Sequence, residues 1–353
     1  MEKLRKKELE NKAKAFLNFL YEIKKFKKKL KLIFHSDVDG FCSCFLMQNF
    51  LKEINIKFNP YPYDHEKRCK IKRNMPILAL DISASKSSGF YWKGMEKSKS
   101  IFFIDHHFYT KEERKIFNKI LITPTSSFLD AFYPCSKFCY DIISFARRFL
   151  KIDKEKGKDA DELLIAFLGV VGDLTYRTKE FFPMLTKNIE KKYNIEWKSL
   201  LRIKRLLDFA IKKEQASSIF SYLNLLYSKK IEEVRESLEK KYRGDLERVD
   251  RLVKNFEKKK KRYGRFYVYR IKEKASRIAT EIINRLNYKN VVVIKKEKSY
   301  FSISIRSRNL NLLEVVDKIF DGCKATYGGH KTAVGALVKA KDLGRFLENL
   351  KKI

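Results

Sequence analysis

Short, continuously apolar runs alternate with helical patterns through the first half of the chain. The runs LKLIF (residues 30–34), MPILAL (75–80) and SIFFI (100–104) are typical of strands that are buried on both faces. A longer apolar stretch at 161–175 predicts a buried helix, and the charged start of the chain predicts an amphipathic one. This alternation predicts an α/β fold whose first domain has a mostly parallel sheet with helices on both faces.

From about residue 184 the pattern becomes helical and more highly charged. Apolar residues recur three or four positions apart over 228–263, which predicts one long helix. The basic run 258–262 and Gly264 fit the end of that helix, because cations favour the negative pole of the helix dipole and glycine is common past the last turn.

A second α/β unit follows the long helix. Strands are predicted at 265–271, 290–294 and 299–308, helices at 275–286 and 311–320, and a turn at 327–335. We therefore expect three parts, namely an N-terminal α/β domain at 1–183, a helical insertion or connector at 184–263, and a smaller α/β domain at 264–353.

The charge balance points towards a polyanionic partner. The 353 residues include 79 Lys and Arg against 43 Asp and Glu, a formal net charge of +36. Such an excess favours nucleic acid binding, although a lysine bias spread over solvated helix faces is the alternative. No run of about 18 apolar residues predicts a membrane span, and the start of the chain lacks a signal-peptide core. We therefore expect a cytoplasmic protein without a membrane partner.

The six cysteines are not expected to form disulfides in an intracellular chain. Cys42 and Cys44, together with Cys135 and Cys139, could form a four-thiolate zinc site. Neither pair has the usual two-residue spacing of such sites. The sequence therefore favours small buried thiols at these positions.

Acidic and histidine residues follow the three predicted strands of the first half. They are His35, Asp37 and Asp39 after the first strand, Asp81 after the second, and Asp105, His106 and His107 after the third; Asp173 ends the apolar helix. Because the carboxyl ends of parallel strands line one crevice, these side chains are expected to converge. A single Asp after a strand is more often a helix N-cap, and Asp39 before Gly40 could belong to a turn.

Such a set of carboxylates and imidazoles is suited to divalent cations. Mn²⁺, Zn²⁺, Fe²⁺ or Mg²⁺ would fit without a thiolate ligand. Two such ions about 3.5–4 Å apart can clamp a phosphoryl oxygen and hold a hydroxide as nucleophile. Their charge would also explain why so many acids are gathered in one place.

These residues resemble the four motifs of the DHH phosphoesterase superfamily. The motifs are HSDVDG (35–40), Asp81 in LALDIS, IDHH (104–107) and GVVGD (169–173). SIRSR (304–308) and YGGHKTAVG (327–335) resemble the C-terminal DHHA1 domain of the same superfamily. The resemblance covers roughly residues 30–180 and 265–350 and is closest to archaeal RecJ-like nucleases.

The resemblance implies two divalent metal ions, Mn²⁺ before Mg²⁺ or Co²⁺. Six residues would be their ligands: His35 and Asp37 at one ion, Asp39, His106 and Asp173 at the other, and Asp81 bridging both. His107 would contact the scissile phosphate, and Asp105 would orient the histidine beside it. Together with Asp81, these two residues would form the catalytic group.

The resemblance also implies that the DHHA1 domain binds the far end of the substrate, across a cleft between the domains that contains the active site. The residues in this role would be Arg306, Ser307, Gly328, Gly329 and His330. Arginine suits a phosphate through its planar fork, and glycines let the backbone approach closely. Two features depart from the family pattern: Tyr327 replaces the first glycine of the usual three, and the segment 184–262 has no counterpart in the common core.

A RecJ-like exonuclease that acts on single-stranded DNA or RNA and releases nucleoside 5′-monophosphates is the function that the resemblance favours. One alternative is a nano-RNase or a bisphosphate-nucleotide phosphatase of the same superfamily. Another is a scaffold protein of a replication complex, like Cdc45, although no expected ligand position has been lost here. Replication or repair proteins are therefore further candidate partners.

Overall fold

The computed structural model describes residues 2–25, 29–63, 75–85, 100–107, 109–124, 133–152 and 158–353. The chain divides into two compact units, 1–242 and 243–353. Their boundary lies within the helical segment that the sequence suggested as a connector, so this segment is shared between the units.

A five-stranded sheet forms the centre of the first unit. Its strands are β1 (Leu30–His35), β2 (Phe58–Tyr63), β3 (Ile77–Leu80), β4 (Ile101–Ile104) and β5 (Leu121–Ile122). They pair in the order β2-β1-β3-β4-β5, and every pairing is parallel. All residues of β3 and β4 are buried, as expected for strands covered on both faces. The predicted parallel sheet is confirmed.

Strand β2 was not predicted, and its composition explains why. Its sequence, FNPYPY, contains Pro60 and Pro62. Proline cannot donate a ladder hydrogen bond and is therefore confined to edge strands. β2 lies at one edge of the sheet, where β1 is its neighbour among the described strands.

Ten helices of the described residues begin in the first unit. They are α1 (Glu2–Lys25), α2 (Val38–Glu53), α3 (Lys111–Ile116), α4 (Cys135–Phe149), α5 (Lys158–Leu174), α6 (Thr178–Phe181), α7 (Pro183–Tyr193), α8 (Trp197–Lys213), α9 (Ala216–Tyr227) and α10 (Ile231–Lys259). α5 confirms the buried helix predicted at 161–175. Among the described residues, none of the helices is both long and apolar enough to cross a bilayer.

Aromatic side chains attach the first helices to one face of the sheet. The ring of Phe102 in β4 lies 5.0 Å from that of Phe19 in α1 and is stacked on it. Phe34 in β1 meets Phe41 of α2 edge-on at 4.8 Å. On the opposite face, Phe103 belongs to a buried cluster that includes Tyr109. The sheet is therefore packed on both faces.

Helix α10 follows the apolar stripe that the sequence indicated. Its stripe residues Ile231, Val234, Leu238, Tyr242, Leu246, Val249, Val253 and Phe256 are all buried. The predicted end of the helix is wrong, because the helix stops at Lys259 and the chain enters a strand at Lys261. Gly264 instead forms the next turn with a φ of 54°, where a Cβ would lie 2.6 Å from the carbonyl oxygen of Leu350.

The second unit contains a six-stranded sheet and three further helices. Its strands are β6 (Lys261–Tyr263), β7 (Phe266–Ile271), β8 (Asn290–Lys296), β9 (Tyr300–Ser307), β10 (Ala325–His330) and β11 (Ala333–Lys339), and its helices are α11 (Ala275–Arg285), α12 (Leu312–Ile319) and α13 (Leu343–Lys351). The strand order is β10-β11-β9-β8-β7-β6, with only β7 and β8 parallel. The segment predicted as a turn at 327–335 is instead most of a β-hairpin, because its small residues alternate along two paired strands.

The four cysteines of the first unit that lie in its described residues are buried free thiols, as the sequence favoured. Cys42, Cys44, Cys135 and Cys139 are all fully buried and form no disulfide. Among the described residues, the two side-chain groups that could hold a metal ion contain no cysteine. A four-thiolate zinc site is therefore not formed by these residues.

A buried ionic cluster joins three helices of the first unit. The guanidinium of Arg147 in α4 donates hydrogen bonds of 2.6 and 2.8 Å to Glu162 of α5. It also donates bonds of 2.8 and 2.7 Å to Glu53 of α2. Arg147 is 4% exposed and Glu162 is 2% exposed, so removing the cation would leave a buried carboxylate without its partner.

Arg147→Ala is expected to lower the free energy of unfolding by about 3–5 kcal/mol, since it breaks a buried charge network. Arg148→Ala is the matched control, because Arg148 is exposed on the same helix and lies over the ring of Phe145. Its effect should stay within about 1 kcal/mol. Urea denaturation followed by circular dichroism measures both, and equal effects would contradict the structural role of the cluster.

Candidate active site

Asp81 lies at the end of β3, between two imidazoles that come from the neighbouring strands. Its Oδ1 lies 3.2 Å from Nε2 of His106, and its Oδ2 lies 3.6 Å from Nδ1 of His35. The backbone of Asp81 has a φ of 57°, a left-handed conformation that aspartate tolerates better than most residues. The side chain is almost completely buried.

Two groups of possible ligands share Asp81. Within each group the ligand atoms lie within 4.8 Å of one another; one group is His35, Asp37 and Asp81, and the other is Asp81, His106 and His107. The resemblance implied that Asp81 bridges two ions, and this role stays a prediction; the geometry shows that Asp81 belongs to both groups. The geometry differs in bringing His107, rather than Asp39, into the group of His106.

Asp37 has two functions that the sequence had presented as alternatives. Its Oδ1 accepts a hydrogen bond of 2.9 Å from the backbone N–H of Gly40 and so caps helix α2. Its Oδ2 lies 2.9 Å from Nδ1 of His35. One oxygen therefore holds the helix start while the other faces the candidate metal site.

Asp39 is held by the N-terminus of α4, a contact that the sequence did not predict. Its two carboxylate oxygens accept hydrogen bonds of 2.8 Å from the amide of Cys135 and 3.0 Å from that of Ser136. Free N–H groups and the helix dipole stabilise an anion at such a position. Asp39 is thus anchored in the core between α2 and α4, and its role as a metal ligand stays a prediction.

One ring nitrogen of His106, Nδ1, is a buried polar atom without a hydrogen bond among the described residues. The nearest carboxylate oxygen at this nitrogen is Oδ2 of Asp173, at 4.0 Å. That separation is too long for a hydrogen bond, but two ligands of one cation are commonly spaced in this way.

Asp105 orients His107 and is itself held by a tyrosine. Its Oδ1 lies 2.7 Å from Nδ1 of His107, and its Oδ2 accepts a bond of 2.6 Å from the hydroxyl of Tyr109. The Tyr109 hydroxyl in turn accepts a bond of 2.8 Å from the amide of Ala84. The sequence analysis missed Tyr109, because nothing in the sequence separates this tyrosine from other core aromatics.

Three glycines let the elements of the site approach one another closely. A Cβ on Gly40 would lie 2.1 Å from the carbonyl oxygen of His35, so only glycine lets α2 start so near the end of β1. A Cβ on Gly169 would lie 2.7 Å from Oδ1 of Asp39, and one on Gly172 would lie 2.9 Å from Cβ of Val38. The glycines of GVVGD therefore bring α5, and with it Asp173, close to the start of α2.

The electrostatics of the metal-free site favour charged imidazoles. Burial lowers the pKa of His35, but Asp37 and Asp81 outweigh burial and raise it well above its usual value. His106 shows the same balance, with Asp173 and Asp81 raising its pKa. Burial and the charge of Asp81 raise the pKa of Asp39. The site therefore holds extra protons when no cation is bound.

The donor set fits divalent cations. Carboxylate oxygens and imidazole nitrogens converge on Asp81, which faces Nε2 of His106. The other ring nitrogen, the buried Nδ1, has no hydrogen-bond partner among the described residues. Ions bound there would neutralise the clustered acids and displace the extra protons. His35, Asp37, Asp81 and His106 are the residues best placed to hold them, and His107 lies beside them in the second group.

The second unit has a cavity of about 620 Å³ at Arg306, on the sheet face opposite α12 and α13. The guanidinium donates hydrogen bonds to the hydroxyls of Thr280, at 3.1 Å, and Ser304, at 2.9 Å. These partners are neutral, and burial lowers the pKa of Arg306 to about 10. A partly buried cation that is held by neutral groups is suited to bind an anion.

The other residues predicted to bind substrate differ in their placement. Gly328 and Gly329 line the cavity, and Gly329 has a φ of 155° at which a Cβ would collide with the carbonyl oxygen of Ala333, 2.1 Å away. Ser307 faces away from the cavity, because its buried hydroxyl donates to Asn290 and accepts from the amide of Leu310. The side chain of His330 lies outside the described residues.

Tyr327, which replaces a family glycine, does not obstruct the cavity. Its ring stacks on Phe320 with the centroids 4.6 Å apart, and its hydroxyl donates a bond of 2.8 Å to Asp317 of α12. Its side chain therefore points to the opposite side of the sheet. Tyr327 lines the cavity, while its ring and hydroxyl make their contacts with Phe320 and Asp317.

Comparison with known proteins finds a family match for part of the second unit and structures of similar fold for nearly the whole chain. The family model of the DHHA1 domain matches residues 265–353. A manganese-bound exonuclease RecJ matches the fold with a TM-score of 0.63 and 13% identity, over 96% of this chain and 93% of its own. A DHH domain from a protein described as a member of a ribosomal protein family matches with a TM-score of 0.68 and 12% identity. This match covers 99% of this chain and 97% of the other.

The Mn²⁺ complex of RecJ from Thermus thermophilus gives a TM-score of 0.58 and 14% identity, over 98% of this chain. The match covers 54% of that RecJ, so this chain spans about half its length. No protein of curated function matches the sequence. At these identities the structural likeness establishes the fold, and the chemistry has to be argued from the residues.

Binding of Mn²⁺ is expected to release protons at pH 7. Imidazole ligates only when neutral, and the raised pKa values keep His35 and His106 protonated in the metal-free protein. Affinity should therefore fall as the pH falls. Titration calorimetry in several buffers measures this release, because the slope of the binding enthalpy against the ionisation enthalpy of the buffer equals the number of protons released. That number should exceed one per protein. A slope of zero would contradict the assignment of these ligands.

Proposed function

We propose that the chain is a member of the DHH phosphoesterase superfamily and acts as a metal-dependent phosphodiesterase. It would act as an exonuclease on single-stranded nucleic acid and release nucleoside 5′-monophosphates. The observation that carries the proposal is the pair of ligand groups that share Asp81. A shared carboxylate is what a two-metal phosphodiesterase requires, because both ions must contact the same phosphate.

The proposed cofactors are two divalent cations, with Mn²⁺ the first choice. When bound, such cations stabilise negative charge on a phosphoryl group and make a bound water nucleophilic at neutral pH. Asp81 would bind both cations; its proximity to the imidazoles of His35 and His106 supports this role. Asp105 accepts bonds from His107 and Tyr109, so the imidazole of His107 keeps one orientation and can contact a phosphate oxygen.

The DHHA1 domain would bind the substrate through the cavity at Arg306. The guanidinium has neutral hydrogen-bond partners and offers its charge to a phosphate. The net charge of +36 supports a polymeric anion, because an enzyme for single nucleotides needs no such excess.

A short-substrate phosphodiesterase is the second candidate. Its support is the cavity of about 620 Å³, which is of the size that binds a small ligand. A scaffold without activity is disfavoured, because no ligand position of the family motifs has been lost. Comparing hydrolysis of five-residue and thirty-residue single strands separates the two enzymatic candidates.

With Mn²⁺, the protein is expected to shorten 5′- or 3′-labelled single-stranded DNA or RNA, with mononucleotides as the product. Asp81→Asn should lower the rate by at least about 100-fold, because a neutral amide cannot bridge two cations. Asp208→Asn is the matched control, since Asp208 pairs with Lys204 on α8 at 2.9 Å and belongs to neither ligand group. Products are resolved by size on denaturing gels. Unchanged hydrolysis by Asp81→Asn would overturn the assignment of the site.

A further inference from the structure

We propose that the outer face of β9, β11 and β10 is a track that binds several nucleotides of a single strand. The outer face is the side of the sheet opposite α12 and α13, and the track extends from Arg306 to Tyr300 and Lys339. The inference rests on the proposed function and deepens it, since it makes a polymer, rather than a dinucleotide, the substrate class.

Strand register aligns the side chains of the track in rows. β9 and β11 are antiparallel, and the paired positions are Arg306 with Ala333, Ser304 with Gly335, Ser302 with Leu337, and Tyr300 with Lys339. Every second residue of a strand points to the same face. At about 3.4 Å per residue, the six steps from Arg306 to Tyr300 span about 20 Å.

Small residues make up the floor of the track near Arg306. A Cβ on Gly328 or Gly335 would meet no atom within 4 Å, so the space above both glycines is open. Ser304 lies beside Gly335 in the same row. A floor of glycines and small hydroxyl side chains lets a planar group or a sugar–phosphate chain lie close to the sheet.

A second cavity of about 400 Å³ continues the first cavity towards Tyr300. The two cavities share Thr326 and Leu337 in their linings, so they adjoin. Tyr300 is 41% exposed and Leu337 is 50% exposed, which is unusual for large apolar side chains on one face. Both can pack against the flat faces of bases, and stacking on exposed rings is how single strands are bound without sequence preference.

Lysines accompany the apolar positions along the track. Lys324 and Lys339 line the second cavity, and Lys274 lines the first. Alternating cations and stacking surfaces fit a chain of phosphates and bases, because each nucleotide presents one of each. An acidic peptide would use the lysines but not the stacking positions. An uncharged ligand would use neither the lysines nor Arg306.

Affinity measured as a function of strand length tests the track without requiring hydrolysis. Tyr300→Ala with Lys339→Ala is compared with the matched control Tyr21→Ala with Lys25→Ala, which removes one exposed tyrosine and one lysine from α1. Both are made in Asp81→Asn protein and kept in EDTA. Unlabelled oligothymidylates of two, four, eight and twelve residues compete with a labelled twelve-residue strand, followed by fluorescence anisotropy.

The track variant is expected to bind the eight-residue strand at least about fivefold more weakly than the control. The loss should grow from the two-residue to the eight-residue strand. Lys339→Gln alone should lower the slope of log affinity against log salt by about one. Circular dichroism melting checks that each variant is folded.

Equal affinities of the track variant and its control would overturn the proposal. So would equal competition by an acidic peptide of the same charge, because charge alone would then explain binding. Length-dependent binding together with absent Mn²⁺-dependent hydrolysis would support the track and contradict the proposed function. Mn²⁺-dependent hydrolysis without length-dependent binding would support the proposed function and contradict the track. The two failures are therefore distinguishable.

Discussion

Repulsion between carboxylates is the constraint on which the first unit depends. Parallel strands, the start of α2 and the end of α5 bring Asp37, Asp39, Asp81 and Asp173 close to one edge of the sheet. Part of the repulsion is offset within the protein, by the N-terminus of α4 at Asp39 and by imidazoles at Asp81. At Asp173 the nearest imidazole is that of His106, whose Nδ1 lies 4.0 Å from Oδ2 and whose pKa the carboxylate raises.

The second unit presents a positive charge, at Arg306, and also uses glycines to shape the surroundings of its charged group. Arg306 is held by neutral hydroxyls on β9 and α11, and glycines on β10 and β11 keep the surface beside it open. In the first unit, glycines instead bring helices into contact with strand ends, as Gly40 does at His35. One unit is thus suited to bind cations, and the other is suited to bind an anionic substrate.

Much of this arrangement could be predicted from the sequence, because it depends on local signals. Apolar runs ending in His or Asp predicted β1, β3 and β4 and the convergence of their carboxyl ends. The apolar stripe of α10 and the alternation of apolar and polar residues in β9 predicted a helix and a strand in the same direct way. Contacts between distant segments could not be predicted: the amides of Cys135 and Ser136 at Asp39, the Tyr109 hydroxyl at Asp105, and the buried cluster of Arg147. The hairpin at 327–335 was read as a turn, because glycines favour turns locally while strand pairing decides their conformation.

The central claim is that two cations share the carboxylate of Asp81. Anomalous X-ray scattering at the manganese edge, from crystals grown with Mn²⁺, locates the ions directly. The account predicts two peaks about 3.5–4 Å apart, each within coordination distance of one oxygen of Asp81. A single peak, or peaks that do not contact Asp81, would contradict it.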